Sequence, residues 1–173
     1  MFRVKESMHV HAPIDRCFLL STSVPLVQKI LGMKPVNGRT SGLIQMNDRV
    51  LWRGWKFGLP VKHETLITAY DRPHFFQDTM ARGQFAHFHH DHRLEEVGGQ
   101  TLFVDVVNFS LPFGVAGRFV GRSIVVPHVL GLLRRRYTLL KRIAESDEWQ
   151  KYLQPETSSG AGTLPQVQHI QAD

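Results

Sequence analysis

The sequence holds a single cysteine, and this scarcity already removes two classes of protein. Cys17 has no partner for an internal disulfide, and one thiol cannot build a cysteine-based zinc site. There is no internal repeat, no Walker phosphate loop and no glycine-rich dinucleotide fingerprint. Long apolar runs are missing too: the most apolar stretch, from Phe113 to Leu133, is broken by Arg118, Arg122, Pro127 and His128, so an integral membrane protein is not expected. The N-terminus lacks the apolar core and small-residue cleavage site of a signal peptide. With the lone thiol, this makes a cytoplasmic location the expectation.

The formal charge of +6 and pI near 9.8 bear on solubility and encounter with anions more than on function. Consecutive helical residues diverge by roughly 100°, so Arg134, Arg135 and Arg136 fan out rather than forming one phosphate-binding face. A solvated helical face is expected there, and no nucleic-acid partner. Hydrophobic residues at 42% and charged residues at 21% are a globular composition, and 173 residues suit one domain with a substantial core. Residues 1–153 are read as that domain. Residues 154–173, rich in Ser, Gly, Gln and Thr without apolar periodicity, are expected to be a disordered tail whose removal leaves stability unchanged.

Phe2, Val4, Met8 and Val10 alternate with polar residues as in a half-buried strand, with Glu6 interrupting the apolar set. Ala12-Pro13 then opens a short helix carrying Ile14, Cys17, Phe18 and Leu20, and a second helix is expected from about Pro25 to Leu31, ending at Gly32. A small strand around Met33 to Arg39 and a loop from Thr40 to Asn47 follow. Five strands come next: Arg49–Phe57, Val61–Tyr70, His74–Ala81, Phe85–Glu95 and Thr101–Leu111. They are separated by Gly58-Leu59-Pro60, Asp71-Arg72-Pro73, Arg82-Gly83-Gln84 and Val97-Gly98-Gly99-Gln100, which have turn chemistry. After Pro112 a mostly helical segment runs to about Glu145, with Pro127 marking a kink or the start of the main helix. Val126, Leu130, Leu133, Tyr137, Leu140 and Ala144 recur at helical spacing and should face the sheet. The fold class is therefore α+β, a curved antiparallel sheet wrapped around a long C-terminal helix. Trp52 and Trp55 fall on opposite strand faces, with Trp52 the core candidate.

The stretch Phe85 to Glu95 carries the chemistry. Phe88, His90, His92 and Leu94 share one face, and His87, His89, Asp91, Arg93 and Glu95 share the other. On the next strand Phe103, Asp105, Val107, Phe109 and Leu111 form an apolar face with one carboxylate. A tight turn at Gly98-Gly99 pairs Leu94 with Phe103, His92 with Asp105, His90 with Val107 and Phe88 with Phe109. A carboxylate on such a face needs a partner, and His92 supplies it. Phe76, Asp78, Met80 and Arg82 form another face that could bring Asp78 near Phe88 or His90. Three readings of the His/Asp cluster stand side by side: a structural network, a polar anchor on a pocket wall, and a metal or acid-base site.

These segments resemble the SRPBCC, or START-like, superfamily, alongside polyketide cyclase/dehydrase-like and coenzyme-Q-binding members. The likeness covers roughly Phe2 to Glu145. It rests on the opening strand with Ala12-Pro13 and Phe18, on Ile67 to Pro73, on Asp78 with Arg82-Gly83-Gln84-Phe85, on Phe88-His90-His92-Leu94, and on Asp105 followed by Leu111-Pro112-Phe113-Gly114. Departures are Gln84, where relatives often carry proline, and Leu94, where they often carry phenylalanine. The resemblance implies a helix-grip fold enclosing a cavity, with Phe76, Asp78, Met80, Phe88, His90, His92, Asp105, Val107 and Phe109 lining or supporting it. Nothing matches the iron-ligand arrangement of the oxygenase branch, so neither a cofactor nor a metal is expected.

The expected function is binding of a small hydrophobic or amphipathic molecule in the cavity. The alternative is a cyclase- or dehydratase-type enzyme in which His90 or His92 moves protons and Asp105 fixes the tautomer.

Overall fold

A computed structural model describes Met1–Leu153, so the expected tail lies outside the described residues. The strands are β1 (Phe2–Val10), β2 (Lys34–Gly38), β3 (Arg49–Lys56), β4 (Leu59–Asp71), β5 (Phe75–Arg82), β6 (His87–Val97) and β7 (Gln100–Ser110). The helices are α1 (Ile14–Thr22), α2 (Val24–Leu31), α3 (Gly114–Val120) and α4 (Val126–Ala144), with a short terminal α5 (Gln150–Leu153).

β2 to β7 form a meander in which each strand pairs antiparallel with the next, and β1 closes the far edge against β7, giving the order β1-β7-β6-β5-β4-β3-β2. Register shifts in β4 between Glu64 and Thr65 and between Ile67 and Ala69 insert the bulges that let a long strand bend. The sheet therefore curls, and its concave face takes the helices. α1 and α2 follow β1 as the proline positions suggest; Pro13 precedes the first helical residue, and Gly32, at φ 63°, ends α2 in the left-handed conformation that glycine adopts without strain.

Two hairpin turns matter for the site. Gly98 and Gly99, at φ 59° and 75°, make the two-residue turn between β6 and β7. Between β3 and β4 the turn is Phe57-Gly58, with φ 53° and 75°, so β4 already begins at Leu59 and the break sits earlier than Gly58-Leu59-Pro60 suggested.

After β7, Gly114–Ala144 is one continuous 31-residue helical rod. Pro127 is the second residue of α4 and follows directly on a π-helical turn over Gly121–Val125, so the expected irregularity is present. By length and composition the rod could cross a membrane, which the interrupted apolar run had not suggested. Its C-terminal half, however, is a core helix: Val129, Leu133, Tyr137, Leu140, Ile143 and Ala144 are buried, while Val126 and Leu130 are half-buried. The buried stripe is centred slightly away from the expected one, and Arg136 lies within it. Tyr137 and Leu140 share a cluster with Phe18, Phe76, Leu94 and Phe103, which ties α4 to α1 and the middle of the sheet. This is the helix-grip architecture.

Candidate functional site

The β6–β7 register is the one that keeps apolar faces together: Leu94 opposite Phe103, His92 opposite Asp105, His90 opposite Val107 and Phe88 opposite Phe109. On the other side of β6, Phe76 stands opposite His92 and Asp78 opposite His90. Three neighbouring strands thus deliver two carboxylates and two imidazoles to one spot on the concave face.

His92 is the centre of this group. Its Nδ1 lies 2.7 Å from Asp105 Oδ1 and its Nε2 lies 2.9 Å from Asp78 Oδ2. Ionised carboxylates only accept, so a ring nitrogen that carries a proton donates to the carboxylate beside it. Phe76 stacks on it at 4.0 Å between ring centroids, and the His90 ring overlaps it at 3.7 Å.

Asp105 is fully buried, and Arg136 Nε donates to its Oδ2 at 3.2 Å. The Asp105 backbone N–H donates to Tyr137 Oη, whose own hydroxyl donates to the Glu6 carbonyl. Burial opposes the charge on Asp105, yet the Arg136 guanidinium and the His92 ring together hold its carboxyl well below the ordinary range. For Asp78 burial again pushes upward, and the His92 hydrogen bond with the charges of His90, His92 and His63 brings it below the ordinary value. His90 is pushed down, by burial first and then by the charge on His92. Arg136 and His92 thus both contact Asp105, His92 also reaches Asp78, and burial disfavours a charge on His90.

Arg136 corrects the expectation of a solvated arginine run. Arg134 pairs with Glu6, Arg135 donates to the Lys29 carbonyl, and Arg136 turns inward, 6% exposed. The three do fan out. The missed signal was spacing: Val129, Leu133, Arg136 and Leu140 follow one another at four, three and four residues, which puts the arginine on the apolar stripe.

Between this wall and the helices lies a cavity of about 320 Å³ with mostly apolar walls. Of the residues expected to line or support it, Phe76, Asp78, Phe88, His90, His92 and Val107 are on the wall itself. Asp105, Phe109 and Met80 are not lining residues. Asp105 is completely buried beneath His92, Phe109 packs with Val4, Val129 and Leu133, and the Met80 thioether lies against Gly83. The wall also includes Trp52, His63, Leu133 and Arg136, which strand and helix patterns alone do not assign to a cavity, because the curl of the sheet and the tilt of α4 decide it. Two polar atoms of this wall are buried without a hydrogen-bond partner: His90 Nε2 and Arg136 Nη2. His90 Nε2 is 3.5 Å from Asp105 Oδ1, and Arg136 Nε reaches the other oxygen of the same carboxylate, so both unpaired groups flank Asp105.

Asp78, His90 and His92 also bring ligand atoms within 4.8 Å of one another, a spacing that can hold a cation. In this structure both nitrogens of His92 are engaged by carboxylates, so a cation would have to displace the Asp78 hydrogen bond.

No protein-family model matches the chain, and no curated protein matches it by sequence. Solved structures match its fold. TTHA0849 from Thermus thermophilus superposes with a TM-score of 0.63 at 15% identity, covering 80% of this chain and 97% of that one. The ginseng major latex-like protein 151 from Panax ginseng gives 0.59 at 10% identity, covering 83% and 97%. The Aha1 dimer from Colwellia psychrerythraea gives 0.59 at 13% identity, covering 84% and 97%. The likeness is one of fold. At these identities it carries no substrate, because one architecture hosts many functions.

Proposed function

We propose that this chain binds a small amphipathic molecule whose apolar body fills the cavity and whose head presents a neutral hydrogen-bond acceptor to Arg136 and His90. The observation that carries the reading is the pair of buried polar atoms without hydrogen-bond partners on a mostly apolar wall. A guanidinium N–H can only donate, so the missing partner is an acceptor. A buried donor left unpaired costs about 1–3 kcal/mol, which an incoming oxygen relieves. The cluster already holds two buried carboxylates, Asp78 and Asp105, so a carbonyl or hydroxyl oxygen satisfies the donor while a third carboxylate would add a further buried negative charge.

The test is a titration of the purified protein with naphthalene, methyl naphthyl ketone and naphthoate, read by quenching of Trp52 on the cavity wall. The ketone is expected to bind more tightly than the hydrocarbon or the acid. Equal affinity for ketone and hydrocarbon, or no binding of any of them, overturns the reading. Native mass spectrometry of the protein as purified looks for the natural ligand directly.

An acid-base enzyme is the second reading, and one observation favours it: Asp78, on the cavity wall, is joined through His92 to Asp105. Its signature is exchange of the ketone's α-protons for deuterium, accelerated by the protein and lost in Asp78→Asn. Under the binding reading that exchange stays at the uncatalysed rate. Stoichiometric zinc in the purified protein, lost with His92→Leu, would favour a metal site over both.

A further inference from the structure

We propose that the mouth of the cavity is a docking surface for an anionic lipid bilayer. Exposed members of the cavity wall, Phe57, Leu59 and Gln84, mark where it opens. Around that opening the large exposed apolar side chains concentrate in two elements: Trp55, Phe57 and Leu59 on the β3–β4 hairpin, and Phe113, Val115, Phe119, Val120 and Ile124 at the start of the helical rod. Phe113 is 84% exposed, Phe119 74% and Trp55 70%. The two elements meet where the Phe57 ring contacts His128, one turn beyond Ile124, with centroids 4.9 Å apart.

Charge selects the partner. There is no Asp or Glu between Arg49 and His63, or between Ser110 and Ala144. Arg53, Lys62, Arg118 and Arg122 are exposed in those segments, so within them apolar and cationic side chains are interleaved without a carboxylate of their own to repel a lipid phosphate. Aromatic and basic side chains together are the composition that sits at headgroup depth. A protein partner would need an acidic surface of matching relief, whereas a bilayer accepts two protruding elements without one.

The backbone supplies an independent sign. Phe57 and Phe113, at φ 53° and 73°, are bulky residues held in the left-handed region, where Asn or Gly would sit with less strain. Both are exposed and contribute little to the core. Phe57 lays its ring against His128 and the cavity rim, whereas the strained Phe113, 84% exposed, leaves its ring free for a surface outside the molecule.

The experiment is flotation with vesicles of pure phosphatidylcholine and of phosphatidylcholine containing about one-third phosphatidylglycerol. The full chain is expected to float with the anionic vesicles, to be released by high salt, and to have Trp55 fluorescence quenched by brominated acyl chains, a quench absent in Trp55→Phe. Arg118→Gln/Arg122→Gln should lower partitioning roughly tenfold or more. Phe113→Asn/Phe119→Gln should also lower it while the melting temperature holds or rises, because the asparagine relieves strain. That second variant should still bind the naphthyl ketone, which separates this proposal from the reading of the cavity. Three results would overturn it: no flotation with anionic vesicles, flotation unchanged in both variants, or a stable solution dimer that shields Trp55 from soluble quenchers and stays off vesicles. The last would assign the surface to a second copy of the chain.

Discussion

At the scale of single residues, Arg136 changes how the buried cluster responds to mutation. From the strand pairing alone, His92→Leu should strand Asp105, and replacing both residues by apolar ones should recover stability. In the structure His92 serves two carboxylates and Arg136 shares one of them. His92→Leu is therefore expected to cost about 3–5 kcal/mol, the range for breaking a buried ion pair. His92→Leu/Asp105→Leu should not recover it, because Arg136 is then buried without a carboxylate and Asp78 without its donor. Adding Arg136→Met should return part of the loss. Urea unfolding of the three variants orders them, and a double mutant as stable as the parent would contradict the four-membered network. Cys17 makes a simpler case. Burial pushes its thiol up to about 11, so the native protein should leave Ellman's reagent unreacted and yield one equivalent only when denatured.

At the scale of elements, the β6–β7 hairpin decides which way the histidines point. A one-residue slip would send His90 and His92 to solvent and His89 and Asp91 inward, so the turn is worth stabilisation out of proportion to its two residues. Gly98, at φ 59°, has open space where a side chain would go. Gly98→Asn is expected to be nearly neutral, and Gly98→Val to cost about 1–2 kcal/mol through backbone strain alone. Equal melting temperatures for the two variants would show that the turn conformation contributes nothing. The outward face has its own hydrogen bonds: His89 on β6 meets Asn108 on β7 at 3.0 Å, and Gln77 on β5 joins Thr68 on β4 to Asp91 on β6 at 2.8 and 2.6 Å. One register thus satisfies both faces.

For the whole molecule, the buried ionisable groups set the response to acid. His63 and His90 lie below the ordinary histidine value of 6.5, so as pH falls past that value the unfolded chain takes up protons that the folded chain does not. Stability falls there by linkage. Asp78 and Asp105 lie below 3.8, and their stabilisation, present above that value, is lost as pH drops further toward their folded-state values. Both shifts have the same sign. The melting temperature should decline continuously from neutral pH into the acid range, in two overlapping phases. A stability maximum on the acid side of 6.5 would mean that these histidines are charged in the folded protein. The long helical rod unites two roles at this scale, its second half gripped by the sheet and its first half carrying the exposed apolar face.

The alternation of β1, the even spacing of strands from Arg49 to Leu111 and the helical stripe of Leu133, Tyr137 and Leu140 were legible in the sequence, because local period and turn chemistry determine which face of an element is apolar. The His92–Asp105 pairing was legible for the same reason: two glycines define the turn, and only one register matches apolar faces. Arg136 as a partner, Asp78 as the second acceptor of His92, and the distinction between residues that line the cavity and those behind it were decided by tertiary structure. They depend on bulges that curl β4 and on the angle at which α4 crosses the sheet, and neither is a property of any single segment. The exposed aromatics show the same division. Their presence was visible in the chain, but that Phe57 and Phe113 stand strained and uncovered became visible only once the rest of the molecule had chosen what to bury.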